Sequence, residues 1–501
     1  MMRRLLGSFR QTWLTAIAIT VLAGCGSSTD SNFADPNSAA SLRVQAQAVH
    51  FCGGCHAWPQ PHTFTQDQWE AEIRQGYRFY GQSGRSDLTV PDVDEIIKWY
   101  VSRAPESLPL TDPGQVSQTL PVNFQQMPFS PDLEKMSYGV ADLAFIKNDL
   151  IVGDMKTGML ARLQFDGHSI DAGPITRLRH PAHIEFCDID RDGLGEFLVA
   201  DLGSYAPSDH SEGHVVLITP PRNESDSIRI EPVLSNVGRV ADCRCADFTG
   251  DGLPDILVAE FGWRKTGSIH LLTQTAVNGR RPTFEQHTID RRHGASHIPL
   301  VDLDNDGDID FVALISQEHE TIVAFLNQGD GRFEQVPILI GDDPDFGSSC
   351  IWLADIDGDN DTDVVYSNGD SMDSGILKPS HGVHWIENLG NLEFRHHSIS
   401  KLPGAMGVAA ADFDQDGDQD IVACAMTWNR DTDFANLVLF DQHEPGKFKR
   451  HNLEVSRAQH AVIEVGDFDR DGDPDLAVGE FEERTTPSES LLSIWWNHGP
   501  R

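Results

Sequence analysis

The chain has 501 residues, 39% of them hydrophobic and 23% charged, so it is long enough for more than one core and too apolar to stay unfolded. Its 77 acidic residues against 38 basic ones give a formal charge of -39 with no cluster of Lys and Arg, which excludes nucleic acid as a partner and makes bound cations the expected counterweight. With 43 Gly and 27 Pro, the composition favours many short strands and turns, hence a mostly β body.

Residues 1–24 have the layout of a secretory signal peptide, with Arg3, Arg4 and Arg10 ahead of an apolar run from Trp13 to Ala23 that is too short to span a bilayer. Leu22-Ala23-Gly24-Cys25 closes that run and resembles the bacterial lipobox, which implies that Cys25 is lipidated and becomes the mature N-terminus. An ordinary cleaved signal with a leftover cysteine is the alternative. Residues 25–41 are polar and read as a flexible tether. The expectation is an exported protein held through a lipid anchor on the periplasmic or cell-surface face of a bacterial membrane, with the outer membrane favoured.

Cys52-Gly53-Gly54-Cys55-His56 has the spacing at which two thiols add to the vinyl groups of haem while the next histidine ligates the iron. A redox dithiol would need a βαβ context and a structural zinc a second ligand pair, and neither accompanies it. Trp69, Ile73 and Tyr77 recur at helical spacing, and Val93, Ile96, Ile97, Tyr100 and Val101 predict a closing helix that Ala104-Pro105 ends. Residues 42–108 thereby resemble a monohaem class I cytochrome c, which implies a small all-α domain with one covalent haem c on Cys52, Cys55 and His56. The departure from that family is the second axial ligand, because no Met occurs between His56 and Leu120. His62, Tyr77, Met127 and Met136 are candidates, and a five-coordinate iron is the other alternative. His62, beside Pro59 and Pro61, also reads as a plain solvated loop residue.

After a linker over residues 109–119, the chain becomes repetitive. Six segments follow Asp-x-Asp-x-Asp-Gly-x-x-Asp, with starts 59, 55, 53, 57 and 55 residues apart. Their candidate metal ligands are Asp188, Asp190, Asp192 and Glu196; Asp247, Asp251 and Asp255; Asp302, Asp304, Asp306 and Asp310; Asp355, Asp357, Asp359 and Asp363; Asp412, Asp414, Asp416 and Asp420; and Asp467, Asp469, Asp471 and Asp475. Carboxylates at alternate positions of a tight turn can converge on a hard cation, and up to six Ca²⁺ are expected. An EF-hand would need a Glu at the twelfth position, which here falls inside the following strand, as at Val199 and Val258. Acidic turns that merely solvate a loop would not recur at so constant a period.

Between motifs a strand ends in Asn and Gly and is followed by Phe, as at Asn327 with Phe333 and Asn388 with Phe394, giving about four short strands per unit. The array over residues 120–501 resembles FG-GAP/VCBS repeats and the integrin α-subunit propeller. With the haem motif ahead of it, the chain resembles a planctomycete-type lipoprotein subgroup that carries both. Gly139 to Leu143 reads as a seventh repeat start whose acidic loop is lost, and Leu120 to Phe124 as a spare strand that completes the last unit and closes the ring. The expected fold is therefore a seven-bladed β-propeller preceded by a small all-α cytochrome c-like domain.

Three segments depart from the repeat: Gln317 to Glu320, Asn368 to Asp370, and Lys378 to Gly382. His180, His183, His297 and His460 precede inner strands and either line a channel mouth or pack between blades by hydrogen bonding. Cys187, Cys243, Cys245, Cys350 and Cys424 are odd in number, so at least one lacks an intramolecular partner. Electron transfer is the leading function, with a redox protein or a small-molecule electron donor or acceptor as partner and the membrane engaged through the lipid anchor. A haem-coupled dehydrogenase with a propeller active site comes second; it lacks a dinucleotide fingerprint and a nucleophile–base pair, so no catalytic residue is assigned. A calcium-dependent surface-binding or adhesion protein comes third.

Overall fold

The computed structural model describes residues 33, 35–54, 56–109, 114–131, 137–223, 226–277, 281–341, 343–372, 374–427, 433–482 and 490–501. The signal sequence, Cys25, Cys55 and Met136 lie outside the described residues. Among the described residues no helix is long and apolar enough to cross a membrane.

Three helices come first: α1 (Ala39–Cys52), α2 (Trp69–Ser83) and α3 (Val93–Val101). Ser38 and Asp92 cap α1 and α3 by accepting from the backbone N–H groups of Ser41 and Glu95, at 3.2 and 3.0 Å. The helical spacing of apolar residues turns Val44, Ala48, Trp69, Ile73, Ile96 and Tyr100 toward one another in a buried core, with the Trp69 and Tyr100 rings 4.2 Å apart. Burying each large side chain in such a core contributes about 1.5–3 kcal/mol.

Seven antiparallel sheets follow, each a blade with consecutive strands side by side. The innermost strands are Val140–Ile146, Pro181–Cys187, Val240–Ala246, Ala295–His297 with Leu300–Val301, Ser348–Ala354, Ala405–Ala411 and His460–Gly466. Second strands such as Asp310–Ile315 are buried along their whole length, because neighbouring blades cover both faces. A continuous apolar run replaces the usual alternation for that reason. Blade 1 makes its first turn with Lys147 and Asn148, at φ 49° and 72°, where the others carry the acidic loop.

Val122–Phe129 forms the outer strand of blade 7, paired antiparallel with Leu492–Pro500 so that Gln125 faces Trp496 and Met127 faces Ile494. The ring closes by joining its first strand to its last unit, which removes a free sheet edge. Side-chain amides then fasten four of the acidic loops to the following blade. Asn327 donates to the carbonyl of Phe248 at 2.9 Å, Asn497 to that of Phe413 at 2.8 Å, and Gln442 to that of Ile356 at 2.8 Å.

Because blades are antiparallel, the turns between first and second strands all lie on one face of the ring, and those between second and third strands on the other. The acidic loops occupy the first face. The helical domain sits on the second, where Arg264 lies 3.1 Å from the centre of the Phe79 ring, Lys265 Nζ donates to the Gln82 carbonyl at 3.3 Å, Thr63 hydrogen bonds to Asp343, and Ile376 packs into the helical core.

Candidate functional site

The face under the helices encloses a cavity of about 600 Å³. Its roof carries Phe51, Cys52, His56, Tyr77 and Tyr80; its floor carries Trp263, Arg264, His293, Glu318 and Asp370 from the propeller. Cys52 is the last residue of α1, and its thiol reaches the Tyr100 hydroxyl. His56 Nδ1 lies 2.7 Å from the carbonyl of Ala57 and can only donate to it, which leaves Nε2 as the ring's acceptor. Phe51 packs between Tyr77 and Tyr80, at 4.8 and 5.1 Å between centroids. Burial pushes the Tyr77 and Tyr100 hydroxyls above their ordinary range, so both stay protonated.

The candidates for a second axial ligand are placed apart from this cavity or are otherwise engaged. His62 is exposed, Tyr77 donates its hydroxyl proton to the Pro91 carbonyl at 3.1 Å, and Met127 packs against the core shared by blades 7 and 1. Two histidines that the repeat pattern did not single out as ligands are found here. His293 lies on the turn between blades 3 and 4, and His319 on the next turn, with ring centroids 4.9 Å apart. Burial lowers the pKa of both; for His319, reinforced by the charge of His293, it falls to about 4. All three segments that break the repeat gather on this face. Gln317, Glu318, Glu320 and Asp370 line the cavity, and Lys378 lies 5.0 Å from the centre of the Phe64 ring in the helical domain. Burial raises the Glu320 carboxyl to about 7, and the residue accepts from the Ser348 N–H at 2.9 Å.

On the opposite face the acidic loops follow one design. A residue with positive φ at the fourth position and a glycine or asparagine with positive φ at the sixth fold the turn inward, as at Asn305 (59°) with Gly307 (95°) and Gly358 (78°) with Asn360 (73°). Carboxylate oxygens are brought within 4.8 Å of one another in five groups: Asp188, Asp190 and Glu196; Asp302, Asp304 and Asp306; Asp355, Asp357 and Asp359; Asp412, Asp414 and Asp416; and Asp467, Asp469 and Asp475. Asp247, Asp251 and Asp255 form no such group, since Thr249 stands at the third position. Asp192 pairs with Arg222, and Asp471 stands outside the group in its loop.

The ninth position has a second job besides the part that Glu196 and Asp475 take in their groups. Asp310 is fully buried and accepts from the N–H of Leu303 at 2.9 Å and of Asn327 at 2.7 Å. Asp255, Asp363, Asp420 and Asp475 repeat both bonds within their own blades. These carboxylates tie the loop to the third strand, and burial raises them, Asp363 to about 6 and Asp475 to about 7.

The central channel is lined by charges that also join blades. Asp142 accepts from Ile184 N at 2.8 Å, Asp242 from Ile298 N at 2.9 Å, and Glu464 from Phe145 N at 3.0 Å, each across a blade boundary. His183 sits 3.2 Å from Asp242 and 3.5 Å from Asp142. Burial and Arg244 oppose its protonation, yet the two carboxylates outweigh them and raise it to about 10. His180 and His460 reach across to the carbonyls of Met155 and Gly479, whereas His297 contacts the hydroxyl of its own neighbour Ser296 at 3.2 Å. Cys187, Cys243, Cys245, Cys350 and Cys424 form no disulfide with one another.

Enclosure in the ring pushes Glu464 up to about 8 from an ordinary 4.5, with Asp142 adding to the shift. The folded protein thus keeps a proton that the unfolded chain has released. Its stabilising effect is complete below pH 4.5 and is lost as pH rises through about 8. Glu464→Gln is expected to flatten the fall in melting temperature between about pH 5 and about pH 9. Parallel curves for the two proteins would mean that Glu464 is ionised in the fold.

The sequence pattern of the FG-GAP-like repeat matches residues 247–313, 302–366 and 372–423. These matches fall in blades 3 to 6 of a propeller that has seven blades. No curated protein matches the chain. Among solved structures it is similar to a catalytically inactive virginiamycin B lyase from Staphylococcus aureus with quinupristin, at 13% identity and a TM-score of 0.44 over 74% of this chain and 99% of that one. It is also similar to BBS1N in complex with ARL6DN, soaked with lead, at 12% identity and a TM-score of 0.41 over 75% of this chain and 95% of that one.

Proposed function

We propose that the chain is an exported, lipid-anchored c-type cytochrome that transfers single electrons through one covalent haem, with the propeller as a calcium-stiffened scaffold and docking face. The observation that carries this reading is His56. Its Nδ1 proton is committed to the Ala57 carbonyl, the arrangement that fixes a metal-binding histidine with Nε2 toward the metal, and the residue opens on the same cavity as Cys52. Cys52 and Cys55 would carry the thioether bonds and His56 would ligate the iron, supplying a one-electron couple.

The surrounding residues serve that role. Phe51, Tyr77, Tyr80 and Tyr100 wall the cavity with rings that exclude water, while Arg264 and Lys265 at its floor offer positive charge to acidic substituents. Five carboxylate groups would hold Ca²⁺ on the far face, and the formal charge of -39 favours a redox partner with a basic docking patch. Anchoring rests on the lipobox-like Leu22 to Cys25.

Expression in a haem-attaching host tests the reading. The protein should keep haem through a denaturing gel and show sharp α and β bands on reduction, and Cys52→Ala together with Cys55→Ala should abolish covalent retention. A wild-type chain that emerges without covalent haem would remove electron transfer as its function.

A further inference from the structure

We propose that His293, on the propeller, is the second axial ligand of the haem iron, so that coordination is completed across the two domains. The inference rests on the cytochrome reading above and extends it to a residue 237 positions downstream of His56. Three observations converge on it.

The first is position. His293 and His56 line one cavity, one from the propeller and the other from the helical domain. The second is the state of the ring. Nε2 of His293 is buried without a hydrogen bond, and its nearest carboxylate, Glu318, is 3.9 Å away, beyond hydrogen-bonding reach. Native folds seldom leave a buried ring nitrogen unsatisfied, and a group that joins the site is the simplest way to satisfy it. Nε2 of His319, whose ring packs against that of His293 at a tilt of 57°, is likewise buried and without a hydrogen bond.

The third is rigidity, which a ligand contributed from another domain requires. Gly294 holds φ 88°, donates to the Phe261 carbonyl at 2.8 Å and accepts from Ser316 N at 2.9 Å. A Cβ on Gly294 would meet Gln317 Cβ at 2.5 Å, and one on Gly267 would meet His293 Cβ at 2.5 Å. Backbone is therefore drawn close on both sides of His293, and His319 acts as a positioning residue that limits rotation of its ring.

Two imidazoles saturate the iron and set a lower potential than a Met/His pair, which suits electron carriage and leaves no open position for a small ligand. The absence of Met between His56 and Leu120 is then no defect, because the ligand comes from the turn between blades 3 and 4.

The full-length protein with covalent haem provides the test. The wild type should be low-spin without the charge-transfer band of methionine ligation. His293→Ala should keep covalent haem yet become high-spin, with added imidazole restoring the low-spin spectrum. His293→Met should keep a low-spin iron, acquire the methionine band and shift the midpoint potential upward; it also carries the test if the alanine variant does not fold. His319→Ala should stay low-spin. A high-spin wild type, a low-spin spectrum unchanged in His293→Ala, or loss of low-spin character only in His319→Ala overturns the assignment while leaving the cytochrome intact. Absence of covalent haem in the wild type overturns the cytochrome reading itself, so the two failures are distinguishable.

Discussion

Removing divalent cations with EGTA should lower the melting temperature by about 13–26 °C, with full recovery on adding Ca²⁺ and weaker recovery with Mg²⁺. Five loops each hold three acidic side chains with oxygens within 4.8 Å, a geometry that costs repulsion unless a cation neutralises it. A site kept at about a hundred times its dissociation constant contributes about 2.7 kcal/mol, and five such sites about 13 kcal/mol. In a domain this large each kcal/mol moves the midpoint by about 1–2 °C. Mg²⁺ holds to octahedral geometry and gives up its water reluctantly, so it should substitute poorly in a flexible turn of carboxylates. Scanning calorimetry in EGTA, Ca²⁺ and Mg²⁺ decides the matter, and identical midpoints would reduce the loops to solvated acidic turns.

Within one loop, two substitutions should separate the cation's contribution from that of the frame. Asp310→Ala leaves the buried N–H groups of Leu303 and Asn327 without an acceptor, at a cost of about 2–5 kcal/mol that should be the same with and without Ca²⁺. Asp304→Asn alters an exposed member of the group formed with Asp302 and Asp306, so its cost should appear only when Ca²⁺ is present. Urea melts of both variants in Ca²⁺ and in EGTA supply the comparison. Equal costs for Asp304→Asn in the two buffers would separate that loop from cation binding.

The repeat was legible because its acids, turn glycine and following apolar run all answer to the same local geometry, so each copy restates the motif. Closure was legible by counting strands, and Val122–Phe129 fills the gap left in blade 7, though it runs five residues past the Phe124 expected as its end. The ninth acid was harder to read. Nothing in Asp310 as a letter shows that its carboxylate holds two backbone N–H groups; the fold does. Likewise the Asp247 loop keeps the period but carries Thr249 where the grouped loops have a third-position carboxylate. His293 and His319 come together only because two successive turns meet beneath a domain distant in sequence, a relation no local pattern expresses. The segments that break the repeat were visible, and their common location is what the sequence could not supply.

The joint in blade 7 also sets an order of events in time. Gln126 and Ser493 are separated by 367 residues, so Val122–Phe129 has no partner strand until Leu492–Pro500 has been made. Six blades can stack meanwhile, but the ring remains an open arc with an unpaired edge at each end, the state most exposed to proteases and to pairing with a second molecule. Arrival of Leu492–Pro500 ends that interval, because its pairing with Val122–Phe129 removes both free edges at once.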